Sequence, residues 1–458
     1  MKIVKVFSDM VDFNAVLDCK IDREINEHGL AMIKGWIDEE QDILKHISDI
    51  TISNIYGETE DGKIIALFSG IVDNVIQRMS NGGLECVITL VGMTKLMDMD
   101  INTTSYQNLK LTYYQIIEKI CKKYKAVFND NVSLLQPVNE FIQQYKETDW
   151  KFLQRILSYK KAYIVPLFTS NQIFFDIGID KKIQILKPDL IDYSMEKAMY
   201  TLNDENEREK MQYVLKFHSR DFFELGDRIE TLDGSLMYIV RSTSRYEGAE
   251  LVNYYELNFF EDIRTERKTN KRIIGASMNA RVMDVRKDKV KVDILASDKG
   301  DNEITKWFPY SSIYSSPDGT GWYCMPEVGD EVRVYFPSED ETDAYVISAV
   351  HKDTSSQLRN NPDNKIIVNR YMKQIEFTPT TLKMSNGNGM SILIDDDEGI
   401  LIESDKSIRF IASESFEMLS LTDKVEIAAD RQVSLKQNNT SINLNDDITV
   451  SGSQMFVQ

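Results

Sequence analysis

The residue types that most often build catalytic and metal sites are few and scattered in this sequence. The cysteines are Cys19, Cys86, Cys121 and Cys324, and the histidines are His28, His46, His218 and His351. No CxxC pair occurs, so a metal site or a histidine-based triad would have to be assembled from isolated residues. We therefore expect free thiols rather than disulfides, and neither a metal, a cofactor nor a catalytic site.

One dense acidic run is the strongest remaining candidate for chemistry. Asp395, Asp396, Asp397 and Glu398 are consecutive, whereas a glycosidase needs two carboxyl groups roughly 5 to 9.5 Å apart around the scissile bond. Adjacent residues on a strand point to opposite faces, so this run indicates a turn or a cation-binding loop. A cell-wall glycan hydrolase or a carbohydrate-binding β-helix protein is the alternative function that it leaves open.

The overall charge argues against a polyanionic partner. The 458 residues include 54 Lys and Arg against 73 Asp and Glu, a formal net charge of −19, which opposes attraction to nucleic acid and anionic lipid. The aromatic side chains of Trp307, Phe308, Tyr310 and Trp322 can serve as core and interface as readily as for base stacking. No apolar stretch approaches the roughly 20 residues of a membrane-spanning helix, and the N-terminus lacks a secretion signal.

The elements that would position these residues are mostly strands. Alternating and β-branched segments fill residues 1–107 and 162–263 and predict two β-barrels. Between them, residues 108–161 show helical spacing and predict a helical insertion.

Two amphipathic stretches make up this insertion. The first begins at Leu111, and Asn108 would cap it. The second follows Pro137 and is divided near residues 147–149, because Thr148 or Asp149 makes a good N-cap for a helix over residues 150–159.

The second half of the chain begins with a change in composition. The basic, polar residues 264–272 have no apolar anchor and predict a solvated linker over residues 264–274. Residues 275–351 contain five short strands between polar turns, which suit a small closed barrel of the OB type, and Gly329 with Asp330 predicts a tight hairpin turn within it. Residues 352–365 would link this barrel to a C-terminal region of residues 366–458.

Short apolar units recur through that C-terminal region. They start at Ile400, Ile408, Phe416, Val425, Val433, Ile442, Ile448 and Met455, with spacings of 8, 8, 9, 8, 9, 6 and 7 residues. This period is too short for a helical solenoid and predicts a β-helix or β-prism in which each unit supplies one strand and one corner. The predicted buried stripe consists of Ile400, Ile402, Ile408, Phe410, Phe416, Met418, Val425, Ile427, Val433, Leu435, Ile442, Leu444, Ile448, Val450, Met455 and Val457.

A single stripe of this width leaves open strand edges and too little core for one chain. Three identical chains intertwined about a threefold axis would bury all three stripes and pair the edges between protomers. We therefore expect a homotrimeric needle over residues 366–458. The alternative is a single-chain β-sandwich with regular hairpins, whose turns would need more glycine than Gly452, the one glycine after Gly399.

Three segments resemble one family. The stretch NEFIQQYKETDWKFLQRIL is similar to a signature of the VgrG and phage tail-hub (late control gene D) proteins. The residues that fit the signature are Gln144, Tyr145, Glu147, Thr148, Asp149, Trp150, Phe152 and Arg155. Residues 275–350 resemble the OB domain of the same family, whose hairpin pattern appears here as Pro326, Val328, Gly329, Asp330 and Val332. The acidic, strand-repeat tail is similar to the family's needle.

The resemblance implies a mainly β protein with a helical insertion, built from two hub barrels, an OB barrel and an intertwined trimeric needle. It implies a non-enzymatic hub and puncturing spike of a contractile injection system, which is a phage tail, a tailocin-type bacteriocin or a type VI-like machine. Three chains would form a ring that caps the tail tube. The signature residues would then be structural, with Trp150, Phe152 and Leu153 packing the helix against the barrels while Glu147 or Asp149 caps it.

The chain also departs from some members of the family. Residues 352–366 leave no room for a lysozyme domain, and no histidine follows His351 to hold iron at a needle tip. The terminal FVQ instead offers a blunt end for a separate PAAR-like tip protein. The implied partners are two further copies of the chain, the tail tube and baseplate proteins, that tip and the target envelope. The protein would be made in the cytoplasm and leave it with the particle.

Overall fold

A computed structural model describes the chain apart from residues 1, 42, 81–82, 201–209, 248, 264, 297, 301–302, 348–355, 445–446 and 455–458. The chain divides into two compact units, Met1–Val350 and His351–Gln458. Two α-helices and thirty-one strands occur among the described residues, and no helix there is both long and apolar enough to cross a membrane.

The first unit is organised by a twelve-stranded sheet. Its antiparallel order is β1-β4-β5-β6-β3-β2-β16-β17-β14-β13, with β15 paired to β16 and β12 to β15. The strands are β1 (Ile3–Ser8), β2 (Ala15–Glu24), β3 (Leu30–Ile37), β4 (Ile52–Thr59), β5 (Ile64–Ser80), β6 (Gly83–Gly92), β12 (Ile185–Leu186), β13 (Leu190–Tyr200), β14 (Lys210–Ser219), β15 (Arg228–Glu230), β16 (Leu236–Glu247) and β17 (Glu250–Asn258).

The two predicted hub barrels are parts of this one sheet. Residues 20–24 of β2 pair with residues 241–245 of β16, which joins the N-terminal strands to those after the helices. Apolar side chains from both parts, among them Ile21, Ile88, Phe217 and Leu257, form one continuous core. The strands predicted over residues 1–107 and 162–263 are therefore present, and they share a core.

The segment between them holds helix α1 (Tyr113–Tyr124) and helix α2 (Asp149–Ser158). Between the helices lie β8 (Val127–Asp130) and β9 (Ile142–Thr148), and the segment is flanked by β7 (Ile101–Tyr106) before it and by β10 (Ile164–Pro166) and β11 (Phe174–Ile177) after it. The helical prediction after Pro137 was therefore wrong over residues 142–148, which form a strand paired with β7. The predicted cap Asn108 was also wrong, because Thr112 caps α1 in a capping box with Gln115.

The OB-type prediction for the next segment is confirmed by a five-stranded sheet in the order β21-β19-β18-β22-β23. Its strands are β18 (Ser277–Arg286), β19 (Lys289–Ile294), β21 (Phe308–Pro309), β22 (Glu331–Tyr335) and β23 (Tyr345–Ile347). A short strand β20 (Asp298–Lys299) leaves this barrel and pairs with β7. Short 3₁₀ turns connect elements at Ile43–His46, Met93–Asp98, Phe260–Asp262, Lys271–Ile273 and Glu341–Asp343, and in the second unit at Gln357–Arg359.

The second unit contains two antiparallel meanders. The first joins β24 (Lys365–Val368), β25 (Gln374–Phe377), β26 (Thr381–Ser385), β27 (Met390–Asp395) and β28 (Gly399–Ser404), and the second joins β29 (Val433–Gln437), β30 (Thr440–Leu444) and β31 (Ile448–Ser451). Residues 405–432 carry no strand, so the strands predicted at Ile408, Phe416 and Val425 are not formed within one chain. A strand needs a hydrogen-bonded neighbour, and the described part of the chain supplies none there.

Candidate functional site

Helix α2 positions the residue around which the site is built. Thr148 is its N-cap, with its side chain accepting a hydrogen bond from the Lys151 backbone N–H at 3.3 Å, as one of the two sequence alternatives predicted. The hydroxyl of Thr148 also donates to Asp98, which fixes the start of the helix on the preceding 3₁₀ turn. Seven residues after this cap, Arg155 points into the interior with only 2% of its surface exposed.

Arg155 joins two parts of the first unit. Its Nη2 lies 2.6 Å from Glu147 Oε1 at the end of β9, and its Nη1 lies 2.6 Å from Glu341 Oε1 in the OB barrel. Nη1 also donates to the Tyr159 hydroxyl at 2.7 Å, and Nη2 to the Gln143 carbonyl at 2.9 Å. All five guanidinium donors of an arginine can be used in such a fork, which lysine could not reproduce.

The charges of this cluster are held in a nearly dry environment. Glu147 is 7% exposed and Glu341 is 5% exposed. Burial raises the pKa of Glu147 even though Arg155 opposes that change, and burial likewise raises the pKa of Tyr159 to about 12. Burial alone would lower the pKa of Arg155, but the Glu341 and Glu147 carboxylates raise it. The guanidinium therefore stays charged and serves two carboxylates at once.

The other signature residues support this helix. Gln144 Nε2 donates to Asp149 Oδ1 at 2.8 Å, and the Tyr124 hydroxyl of α1 donates to Asp149 Oδ2 at 2.9 Å. Both residues of the first pair are fully buried. Asp149 thus ties α2 to α1, whereas the predicted capping role belongs to Thr148 alone.

The aromatic signature residues fill the core beneath α2. The Trp150 ring lies 4.8 Å from the His28 ring, and the Phe152 ring stacks on Tyr106 at 5.6 Å. These side chains and Leu153 belong to a core formed with α1, β10 and β11. Trp150, Phe152 and Leu153 are accordingly buried packing residues of α2.

A second set of contacts holds the OB barrel to the same region. The Gln107 side chain bridges strand β19, donating to the Val292 carbonyl at 2.6 Å and accepting from the Ile294 N–H at 3.1 Å. Phe141, which lies just before β9, enters the core of the barrel and contacts the Phe308 ring edge-on at 5.2 Å. Tyr145 packs against that core, partly buried. Side chains from one part therefore complete the interior of the other.

The predicted linker over residues 264–274 is a packed strap rather than a solvated tether. Asn270 donates to the Tyr145 carbonyl at 2.7 Å, and the Lys268 side chain donates to Gln154 on α2 at 2.8 Å. Arg267 lies over the Tyr159 ring at 5.0 Å. Ile273, which directly follows the basic residues 264–272 and lies within the predicted linker, is fully buried in the OB core.

The sequence singled out Arg155 and Glu147 as signature residues but predicted neither their ion pair nor a junction with the OB barrel. Glu341, Gln107, Phe141, Gln143, Tyr159 and Asn270 were not predicted. Glu341 lies in the acidic stretch SEDETD, which has the composition of a solvated turn. The only local signal was Phe141, a large apolar residue before the signature.

The residues of the predicted OB hairpin have separate roles. Val332 is in the barrel core with 2% exposure, whereas Val328 is 64% exposed. Residues 327–330 form a turn in which Gly329 has φ of 99°. This turn leads into β22, but residues 322–327 before it carry no strand, so the predicted hairpin is not formed. The Gly329 N–H donates to the Val282 carbonyl of β18 instead. Pro326 precedes the turn, and Asp330 closes it with its carboxylate accepting from the Glu327 N–H at 2.8 Å.

The predicted needle residues are exposed in the single chain. None of the described side chains of the second unit is buried. The exposures of the predicted stripe include Ile400 70%, Ile402 46%, Ile408 48%, Phe410 67%, Phe416 58%, Met418 57%, Val425 52%, Ile427 58%, Leu435 59%, Ile442 40%, Leu444 41%, Ile448 76% and Val450 50%, while Val433 is partly exposed. Met455 and Val457 lie outside the described residues.

The acidic run forms a turn, as one of its two sequence interpretations predicted. Asp395 Oδ1 accepts hydrogen bonds from the Asp397 and Glu398 backbone N–H groups at 2.9 and 3.0 Å. These bonds lower the pKa of Asp395. Across the described part of the chain, no three His, Cys, Asp or Glu side chains come together as metal ligands would.

Two sequence families match parts of the chain. Residues 57–163 match the family described as phage tail baseplate hub (GPD), which includes the whole Arg155 signature. Residues 278–351 match the type VI secretion system/phage-baseplate injector OB domain, which includes Glu341. The comparison with curated proteins finds no match. The buried ion pair therefore joins the two matched domains, and the chain is similar to the VgrG and tail-hub proteins.

Solved structures share the fold at low sequence identity. The E. coli c3393 protein, described as a type VI secretion component similar to T4 phage tail proteins gp27 and gp5, has a TM-score of 0.53 and 15% identity, covering 75% of this chain and 99% of its own. The lidded Francisella PdpA–VgrG complex has a TM-score of 0.57 and 10% identity, with coverages of 85% and 76%. The lidless form of the PdpA–VgrG complex has a TM-score of 0.54 and 11% identity, covering 84% of this chain and 93% of its own.

Proposed function

We propose that this chain is a structural component of a contractile injection system, in which three copies form the baseplate hub that caps the tail tube and the spike that punctures the target envelope. The observation that most strongly supports this proposal is that a segment matching a hub domain and a segment matching an injector OB domain occur in that order and are joined through the buried Arg155 cluster. The low-identity structural neighbours support the fold, and the family matches support the role.

The Arg155 junction suits a part that transmits force. A hub and spike must move as one body when the sheath contracts, whereas a flexible tether between them would absorb the displacement. Here the OB barrel is fixed by a charged fork, by the Gln107 bridge to β19 and by the shared Phe141 core. Breaking one partner of a buried ion pair costs roughly 3–5 kcal/mol, so such a joint opens rarely.

The needle proposal is supported by the register of the first meander. Direct cross-strand pairing aligns Ile367, Ile375, Met384, Ile392 and Ile402 in one row across all five strands. A second row on the same face contains Phe377, Leu382, Ile394 and Ile400.

The described residues of the second unit leave much of this apolar face exposed. Ile367 is 63% exposed, Met384 is 46% exposed and Ile400 is 70% exposed. Three such sheets with their apolar faces turned to a common axis would bury both rows and form a triangular prism. Residues 405–432 would then gain strand partners from neighbouring copies, which is the intertwined needle that the sequence predicts.

The chain carries out this role without catalysis in our proposal. The Asp395–Glu398 run belongs to the turn between β27 and β28, and backbone N–H groups occupy the Asp395 carboxylate. A glycosidase acid needs a raised pKa, whereas that of Asp395 is lowered. We therefore favour the structural role over a glycan hydrolase or a carbohydrate-binding β-helix.

The proposed partners follow from the same assignment. They are two further copies, the tube and baseplate proteins of the particle, a PAAR-like tip protein at the needle end and the target envelope. The net charge of −19 disfavours nucleic acid as a specific partner. The protein would be located at the tail tip of a phage or phage-like particle.

Electron microscopy of the purified full-length chain tests this proposal. We expect end views with threefold symmetry and side views with a broad head and a thin spike. Particles that contain one copy of the chain, or a compact trimer without a spike, would contradict it.

A further inference from the structure

The OB barrel carries a protruding hairpin of residues 311–325, which we call the aromatic arm. Its two sides are joined by a bridge between Ser315 and Gly321 and by a 2.9 Å bond from the Trp322 N–H to the Tyr314 carbonyl. Asp318 closes the tip by accepting from the backbone and hydroxyl of Thr320. The arm is therefore ordered before any partner binds.

The position of Gly321 shows how closely the two sides approach. Its φ is 143°, and a Cβ placed there would lie 2.4 Å from the Tyr314 carbonyl oxygen. A side chain at this position would separate the two sides of the arm.

The arm displays large apolar side chains to solvent. Ile313 is 89% exposed, Tyr314 is 54%, Trp322 is 58% and Tyr323 is 77%. Among residues 311–325 only Asp318 is charged, whereas 28% of the whole chain is charged. Enrichment in Trp and Tyr with depletion of charge is typical of the buried centre of a protein interface.

The arm contacts the barrel at the turn that joins β18 to β19. The Tyr323 hydroxyl donates to the Lys287 carbonyl, in the turn between β18 and β19, at 2.9 Å. Glu341 instead follows β22, whose Tyr335 pairs with Ser277 at the other end of β18. The residues of the arm are therefore not those that form the Arg155 junction.

The size of this patch limits what its partner can be. Aromatic side chains bury about 150–250 Å² each, so three aromatic side chains exposed by 54–77%, together with Ile313, offer on the order of 500 Å². That is less than the roughly 800 Å² per partner of a stable independent interface. An area of this size is sufficient for a contact between two domains that other interactions already keep close together, because their effective concentration is then high.

We propose that the aromatic arm of each copy docks on the OB barrel of the next copy around the threefold axis. This inference rests on the proposed trimer, because the needle would hold the three barrels side by side and so compensate for the small area. The docked arm would prevent one OB barrel of the trimer from rotating relative to the next.

Cys324 provides a native probe of this contact. It follows Tyr323 in the arm and is exposed in the single chain, whereas Cys19, Cys86 and Cys121 are buried. The full-length protein is labelled with a maleimide after its mass has been measured, and the modified peptide is identified by mass spectrometry. We expect labelling of Cys324 in the assembled protein to be at least about tenfold slower than in the unfolded chain.

Substitution of the arm completes the test. Trp322→Ser should restore rapid labelling of Cys324 while the needle keeps the protein trimeric, and Leu135→Ser, which removes a 70% exposed apolar side chain from the hub, should leave the labelling slow. Rapid labelling in a wild-type trimer, or slow labelling in a Trp322→Ser trimer, would overturn the docking of the arm and leave the proposed trimer standing. A monomeric wild-type protein would overturn both.

Discussion

The Nη1 atom of Arg155 in α2 lies 2.6 Å from Oε1 of Glu341, which is 186 residues later in the OB barrel. The same guanidinium forms a second short contact with Glu147, and all three side chains are buried. Arg155, a residue of the signature, therefore contacts the OB barrel as well as its own domain. It fixes the barrel that continues into the spike.

Replacement of Arg155 by methionine should destabilise the protein strongly. The variant leaves two buried carboxylates without their cation, and we expect a loss of roughly 3–5 kcal/mol in the free energy of unfolding. Denaturant unfolding monitored by tryptophan fluorescence would measure the loss.

Arg78→Met is the matched control. Arg78 also lies 2.6 Å from a glutamate, Glu85, but the Arg78 side chain is 61% exposed, and Glu85 keeps a second cation, Lys34, at 2.8 Å. The loss of stability should therefore be much smaller than that of Arg155→Met. Equal losses of unfolding free energy in the two variants would show that the buried Arg155 cluster contributes no more to stability than an exposed arginine pair.

Replacement of Glu341 by glutamine should loosen the barrel from the hub while leaving α2 folded. Arg155 keeps Glu147 in this variant, so we expect a loss of about 1–3 kcal/mol, smaller than that of Arg155→Met. Amide exchange of Ile294, whose N–H bonds to Gln107, should become faster than in the wild type.

Glu339→Gln, two residues away in the same turn, should change stability by no more than about 0.5 kcal/mol. A Glu341→Gln protein with unaltered exchange at Ile294 would show that the ion pair does not hold the barrel.

The pH dependence of stability should contain a contribution from His28. Burial lowers the pKa of His28 below its ordinary value of 6.5, although the neighbouring Asp98 carboxylate opposes that change and Lys95 and Lys151 add to it. Below pH 6.5 the unfolded chain therefore takes up a proton that the folded chain resists. Stability is lost as the pH falls from 6.5 through the folded pKa.

His28→Gln removes this proton uptake and can keep a hydrogen bond to Thr94. We expect its free energy of unfolding to fall less steeply than that of the wild type between pH 7 and pH 5. Parallel profiles of the two proteins over this range would contradict the assigned effect.

Two adjacent residues of β28 should respond differently to a charge. Ile402 lies on the apolar face of the first meander and is 46% exposed, whereas Leu401 lies on the opposite face and is 49% exposed. An unpaired lysine buried between chains costs several kcal/mol. Ile402→Lys should therefore dissociate the assembly in analytical ultracentrifugation, and Leu401→Lys should not.

Because the two side chains are equally exposed in one chain, a monomeric account predicts equal effects. Dissociation by both variants, or by neither, would argue against the prism.

Local patterns in the sequence predicted α2 but not the strand before it. Thr148 is a strong N-cap, and Trp150, Leu153 and Leu157 follow it at helical spacing, so the local pattern predicts the helix. Residues 142–148 carry apolar side chains that also fit a helix, and they form β9 because β7 offers a hydrogen-bonding edge. That edge comes from residues 101–106, which lie about 40 residues earlier, and the propensities of residues 142–148 alone contain no information about it.

The sequence singled out Arg155 and Glu147 but did not predict the junction that they form. Arg155 and Glu147 belong to one local motif, whereas Glu341 reaches them through the fold of a different domain. The strap over residues 264–274 was read as solvated because its composition is basic and polar, although Ile273 alone anchors it in the OB core. Composition reports the average environment of a segment and not the burial of one side chain.

The mass of the full-length protein in solution, measured by light scattering, tests the central claim most directly. The account predicts three times 52.9 kDa, and it predicts that a chain ending before residue 366 loses this assembly or its resistance to heat. A stable 52.9 kDa monomer of the full-length chain would contradict the trimeric hub and spike.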